Sequence, residues 1–238
     1  MKRLLGLTIL ALILFSLCLQ GARWQFDRYE SRHDRNELIR DNFAMPKLAE
    51  SDLPGLTPNQ MVWREIEVSG SFQPETEMLV RNRYHLERYG LGVVTLFVSQ
   101  SGKKYWVDRG WVAPGPDATT PPITKPVTDE VVTLIARIRL EDIENQIGGS
   151  VFALPNSSGE NQLSKWNRAN AIDTESIYFD LIKSSNPDFD PDFPTTLPTL
   201  SDGPHLAYSL QWLLFAGFVL FGYVLVIRED RKVQREKA

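Results

Sequence analysis

Few side chains in this 238-residue chain are suited to chemistry beyond packing: three histidines, His33, His85 and His205, and one cysteine, Cys18. A lone cysteine excludes an internal disulfide and any zinc or iron–sulfur site built from several thiolates. The sequence holds no Gly-rich phosphate loop, no G-x-S-x-G elbow, no C-x-x-C-H motif and no His-rich tract. His33 lies in a charged stretch and reads as a solvated face residue. His85, in Arg81-Asn-Arg83-Tyr-His85-Leu-Glu-Arg88-Tyr-Gly90, reads as part of a surface turn between strands, the alternative being a basic contact to a partner or an anion. The couple Asp108-Arg109 before Gly110-Trp111 reads as a strand end at which Gly110 permits a bulge or a close contact. A ligand-binding Arg109 is the alternative there.

His205 differs in its setting. Gly203-Pro204 precedes it and an uncharged apolar run follows. Proline suits the first turn of a helix, where its missing N–H costs nothing. His205 therefore stands at the entrance of an apolar helix, with Tyr208, Ser209 and Trp212 on the same face. A neutral imidazole among aromatic and apolar groups can ligate haem iron, or it can snorkel among lipid headgroups with no ligand at all. The residues alone leave both open.

Two apolar runs must position these groups. The first, residues 4–19, is broken only by Gly6, Thr8 and Ser16. From Arg3 to Arg23 a helix rises about 29 Å, close to the thickness of a bilayer core. A cleaved signal peptide would need small residues before the cut, and Leu17-Cys18-Leu19-Gln20 supplies none. A retained anchor over residues 4–22 is expected, with Cys18 facing lipid or filling a packing gap. The second run gives a span over residues 205–227, its Tyr208 and Trp212 fitting an interfacial belt. Lys2 and Arg3 precede the first span, and Arg228, Arg231, Lys232, Arg235 and Lys237 follow the second. This basic bias places residues 1–3 and the tail, 228–238, on the cytoplasmic side, and residues 23–204 outside. The whole chain carries −4 and the two ends together carry +4, so the outer part carries −8. Nucleic acid is excluded as a partner of so acidic a domain, and 42% apolar against 24% charged residues excludes a disordered or fibrous chain.

The outer part opens with a charged stretch, 23–43, that predicts a juxtamembrane helix continuing the span. Pro46, Pro54-Gly55 and Pro58 enforce turns. From Val62 the period becomes two: Val62, Ile66, Val68, Gly70 and Phe72 alternate with Trp63, Glu65, Glu67, Ser69 and Ser71, which predicts a half-buried strand. Further strands are expected at 78–83, 91–98, 104–112, 131–140 and 176–182. A turn at Ser101-Gly102 makes the third and fourth a hairpin. A Pro-rich loop occupies 113–126 and another loop 156–159. The Pro- and Asp-rich stretch 186–198 is expected to be a stiff linker to the second span. The expected fold is a small, mainly antiparallel β (α+β) extracytoplasmic domain between two transmembrane helices.

Four short motifs, in order along nearly the whole chain, give it a family likeness. They are Trp24-Gln25-x-x-Arg28 after the first span, Gly70-x-Phe72 at the first strand, Arg109-Gly110-Trp111-Val112 at the hairpin end, and Gly203-Pro204-His205-Leu206-x-Tyr208-x-x-Gln211-Trp212 at the second span. In this the sequence resembles the surfeit locus protein 1 family of cytochrome c oxidase assembly factors. The resemblance implies a non-enzymatic membrane protein acting on the haem–copper oxidase. It implies that haem a is delivered to or stabilised in subunit I, with subunit I, other assembly factors and membrane lipid as partners. His205 occupies the position of a haem-ligating histidine in some bacterial members. By the same resemblance Tyr208 and Trp212 line that site, and Arg28 and Arg109 pair with haem propionates or with a subunit. Ala207-Tyr208-Ser209 stands where the family more often has Ser/Asn-Tyr-Ala, which bears on packing more than on the motif. The absence of an Arg- and Ser-rich transit peptide points to a bacterial inner membrane, with both termini cytoplasmic and the domain periplasmic.

Two other classes of function compete. A cofactor-free membrane scaffold that binds oxidase subunits needs the β domain and not His205. An outer-face hydrolase needs a cluster of acid, base and nucleophile that three histidines and one cysteine do not encourage.

Overall fold

No proline occurs before Pro46, and the apolar run and the charged stretch after it form one unbroken helix, α1 (Lys2–Ala44). It is about 64 Å long and stops where Pro46 disfavours further helix. The computed structural model describes residues 2–117, 120–140, 167–168, 171–197 and 199–236. The expected loop 156–159 lies outside them. The second long helix (His205–Glu236) runs through the apolar segment and on into the basic tail. Both helices contain a stretch long and apolar enough to cross a membrane, and they flank a mixed sheet. The chain divides into two units, residues 1–37 with 200–238, and residues 38–199.

In the second unit the last turns of α1 are followed by β1 (Leu48–Ala49), a 3-10 turn (Glu50–Gly55) and a one-turn helix, α2 (Pro58–Met61). Thr57 caps α2: its N–H donates to Gln60 Oε1 at 2.9 Å. Four longer strands come next: β2 (Glu65–His85), β3 (Arg88–Ser99), β4 (Lys104–Val112) and β5 (Val131–Leu140). The last is β6 (Ile177–Ser184).

Neighbours run β1-β2-β3-β4-β6-β5, and β5 pairs again with β2, closing a five-stranded ring with β1 outside it. The long β2 makes closure possible. Its first part, from Glu65 to Ser71, pairs with β5, and from Gly70 onward it pairs with β3. The two strands expected at 62–72 and 78–83 are thus one. Between them Pro74 sits in a register shift from Gln73 to Met78, where no ladder N–H is required.

The sheet is mixed rather than simply antiparallel. β1–β2 and β4–β6 are parallel, and the other four pairings are antiparallel. Once β5 has returned to β2, the remaining opening lies between β4 and β5, and β6 enters it alongside β4. Alternating burial in a sequence specifies a strand's face but not its partner.

The face turned to the inside of the ring carries the aromatic core. Phe72 meets Phe97 edge-on at 5.1 Å and Phe189 at 6.0 Å, and Tyr105 stacks on Phe179 at 4.5 Å. The alternation expected from Val62 to Phe72 holds, apart from Trp63. It adopts φ +65° and is buried rather than outward, packed edge-on against Phe43. The stretch expected as a linker at 186–198 carries more structure than a spacer. Pro187–Phe189 forms a 3-10 turn, Phe189 is buried, and Trp111 N–H donates to Phe193 O at 2.8 Å.

Candidate functional site

In the helical unit, contacts pass along α1 and the second long helix, α3 (His205–Glu236), in opposite directions, so the two lie antiparallel. Thr8 Oγ1 is 2.7 Å from the Tyr223 hydroxyl near one end. Trp212 lies flat on Gly21, where a Cβ would come within 2.8 Å of the indole. Ser209 Oγ donates to Ala22 O at 2.9 Å. His205 Nδ1 lies 2.8 Å from Gln25 Oε1. Just before α3, Asp202 accepts from Asn36 Nδ2 at 2.7 Å and lies 3.0 Å from His33 Nδ1. The stripe His205, Ser209, Trp212, with buried Ala216 beyond it, follows the helical spacing that brings one face onto α1.

The bond to Gln25 fixes the chemistry of His205. An amide oxygen only accepts, so Nδ1 is the donor, and the neutral imidazole with its proton there has its lone pair on Nε2. Orienting a histidine by donating Nδ1–H to an oxygen is how proteins present Nε2 to a metal. Gly203, at φ +70°, lies beside the ring: a Cβ there would be 3.1 Å from Arg32 Nη1, 3.4 Å from His205 Cδ2 and 3.6 Å from Nε2, so the Arg32 guanidinium and the imidazole border the same glycine. Among the described residues no group of three His, Cys, Asp or Glu could hold a bare metal ion. One axial imidazole suffices for a haem, and the residues at the His205 end of the helix pair fit that group.

The other expected site residues divide. Trp212 is joined to the His205 stripe by its contact with Gly21. Tyr208 is on the flank and exposed. Arg28 lies across the Trp24 ring, 5.3 Å from its centroid. Arg109 belongs to the sheet unit, where it is buried, ion-paired with Glu77 at 2.8 Å, and also donates to Lys125 O. Gly110, at φ +96°, lies in a bulge opposite β3 and makes the close approach expected of it, to Phe193.

Other residues depart from expectation. His33 is held by Asp202 and stacks on Tyr29, 5.6 Å between centroids, so it is no free surface group. His85 packs between Trp111 and Phe193, at 5.6 and 4.9 Å. Cys18, by contrast, is buried, which is one of the two settings expected for it. Gln25, Asp202 and Asn36 received no role from sequence. Gln25 and Asn36 stand only as polar side chains on a helix read as charged, and Asp202 as an acidic residue before the second span.

The sheet unit also buries a charged group that sequence reasoning missed. Asp108 and Asp180 face each other across β4 and β6. Arg83 pairs with Asp108 at 3.0 Å, Arg139 pairs with Asp180, and Thr195 donates to Asp108 at 3.2 Å. Burial pushes the Asp108 carboxyl up to about 6; Arg83 opposes this and Asp180 adds to it. The folded protein thus holds this proton to higher pH than the unfolded chain. The stability it confers is complete below pH 4 and is lost as pH rises through 6, an effect of at most about 3 kcal/mol. Urea midpoints measured from pH 4.5 to 7.5 are expected to fall more steeply for the wild type than for Asp108→Asn. Parallel curves would contradict this.

The chain matches the SURF1 family over residues 12–217 and belongs to it. That family is one of cytochrome c oxidase assembly factors, not of enzymes. Similar relatives include uncharacterised SURF1-like proteins of Mycobacterium bovis and Mycobacterium tuberculosis. These are 28% identical over 239 residues, spanning 91% of this chain and 80% of each relative.

Proposed function

We propose that this protein is an assembly factor for haem–copper cytochrome c oxidase that holds haem a at the His205 end of its helix pair during delivery to, or stabilisation in, subunit I. The observation that carries this reading is the His205–Gln25 bond, which engages Nδ1 and so directs Nε2 to a ligand. Haem a when bound supplies an iron centre in need of an axial nitrogen and two propionates in need of cations. His205 offers the nitrogen, Gln25 fixes its proton, and Trp212 provides a flat apolar wall. Arg28 is one cation on the same unit, Arg32 beside Gly203 is another, and a pairing of Arg109 with a propionate requires release of Glu77. α1 and α3 cross a bacterial inner membrane, the basic ends keep both termini cytoplasmic, and the acidic sheet unit is periplasmic. Subunit I, other assembly factors and lipid are the partners.

The test is made in a host lacking its own copy of the gene. Wild-type protein is expected to restore the haem a content of the oxidase, and His205→Ala to restore less than a tenth of it at equal protein level. Full restoration by His205→Ala would favour a cofactor-free scaffold, for which only the sheet unit matters.

A further inference from the structure

The hairpin joining β2 to β3 ends in a two-residue turn, Leu86-Glu87, with φ +46° and +63°. Asn-Gly normally fills such a turn, and a leucine and a glutamate there sit in the left-handed region at a local cost. Nothing in the fold uses Leu86, which is 81% exposed. Two residues back on each strand side, Tyr84 and Tyr89 face each other, ring centroids 5.9 Å apart, and they are 65% and 42% exposed. Arg88 lies between the turn and this pair and Arg81 lies beyond it, and no salt bridge to either is found among the described residues. The hairpin end therefore carries apolar groups and two arginines against the single carboxylate of Glu87, on a domain that is otherwise strongly acidic.

We infer that this hairpin end docks into an anionic lipid surface, Leu86 entering below the headgroups, Tyr84 and Tyr89 lying at their level, and Arg81 and Arg88 meeting phosphate. The inference rests on the membrane setting proposed above. Three features select lipid over a protein partner. Exposed apolar, tyrosine and arginine side chains are gathered within a few residues of the turn, the mixture found at a membrane interface. The apex stands about 7 Å beyond the tyrosine pair, matching the depth to which interfacial segments insert. The charge reversal attracts anionic headgroups where the rest of the domain is repelled. In sequence the sheet unit also lies between two helices able to span a bilayer, so the local lipid concentration is high and a weak contact suffices.

The test uses the full chain with Cys18→Ser, labelled with an environment-sensitive fluorophore at one introduced cysteine. The positions are Leu86→Cys, Ile123→Cys as an exposed control, and Leu214→Cys within α3. Protein is reconstituted in bilayers of phosphatidylcholine with or without phosphatidylglycerol, and with brominated acyl chains as quencher. The expected result at 86 is blue-shifted emission and quenching several-fold greater than at 123. The quenching should require phosphatidylglycerol and disappear with Arg81→Glu plus Arg88→Glu. Water-like, unquenched emission at 86 with strong quenching at 214 would overturn the docking inference and leave the membrane setting standing. No quenching at 214 would overturn both. Shielding at 86 only after addition of oxidase subunit I would also overturn it, assigning the hairpin end to a protein contact.

Discussion

Arg139→Ala is expected to destabilise the sheet unit by about 3–5 kcal/mol, measured by urea unfolding of the purified full-length protein in detergent. Arg139 is buried, ion-paired with Asp180, and its guanidinium lies 3.9 Å from the Trp63 ring centroid. Asp180 is itself buried, its Oδ1 has no hydrogen-bond partner among the described residues, and Asp108 is its neighbour across the parallel ladder. Without Arg139, two carboxylates would remain in a water-excluded site with less positive charge between them. The same reasoning gives a control. Replacing the pair together, as Arg139→Met with Asp180→Leu, removes both desolvated charges and is expected to recover most of the loss. A single-variant loss below about 1 kcal/mol, or a double variant as unstable as the single, would contradict the assignment.

Gly70→Ala is expected to be the next most damaging single change, costing about 3 kcal/mol by the same measurement. Gly70 is the residue at which β2 passes from β5 to β3, paired with Val132 on one side and Ser99 on the other. A Cβ there would lie 2.1 Å from Val98 O, 2.7 Å from Ser99 Cα and 2.8 Å from Phe97 Cε1. Two of those atoms are backbone, so relief requires moving a strand rather than a rotamer. Gly55→Ala serves as the comparison, since no atom lies within 4 Å of its added Cβ. Its effect is expected within about 0.5 kcal/mol. Equal effects of the two changes would contradict the corner role of Gly70.

Much of this architecture could be read from residue order. The 3.6 and 2 periodicities give both long helices and match β4 and β5 to the residue. What could not be read is pairing. Nothing in residues 104–112 or 176–182 says that β6 lies parallel to β4, because that partnership is decided by which edge is open after β5 closes on β2. Pro74 divides the sequence pattern of β2, and only the tertiary fold shows the interruption to be a bulge. The buried charges were hidden for a similar reason. Arg139 and Asp180 interrupt apolar strands as isolated polar residues, and only the β5–β6 and β4–β6 ladders bring them together. At the candidate site, His205 stood out because it opens an apolar helix. Gln25, which orients it, is 180 residues away in sequence and becomes visible as its partner only when the helices pair. The exposed hairpin end lay within the basic stretch around His85, where composition showed the charge but not the strained Leu86-Glu87 turn.

The central claim is that His205 presents Nε2 as an axial ligand. Its most direct test is the absorption spectrum of the full-length protein purified from cells that also make haem a, compared with His205→Ala from the same cells. The wild type is predicted to retain the Soret band of histidine-ligated haem, and the variant to lose most of both the band and the bound cofactor. Identical spectra and identical cofactor content in the two proteins would contradict the claim.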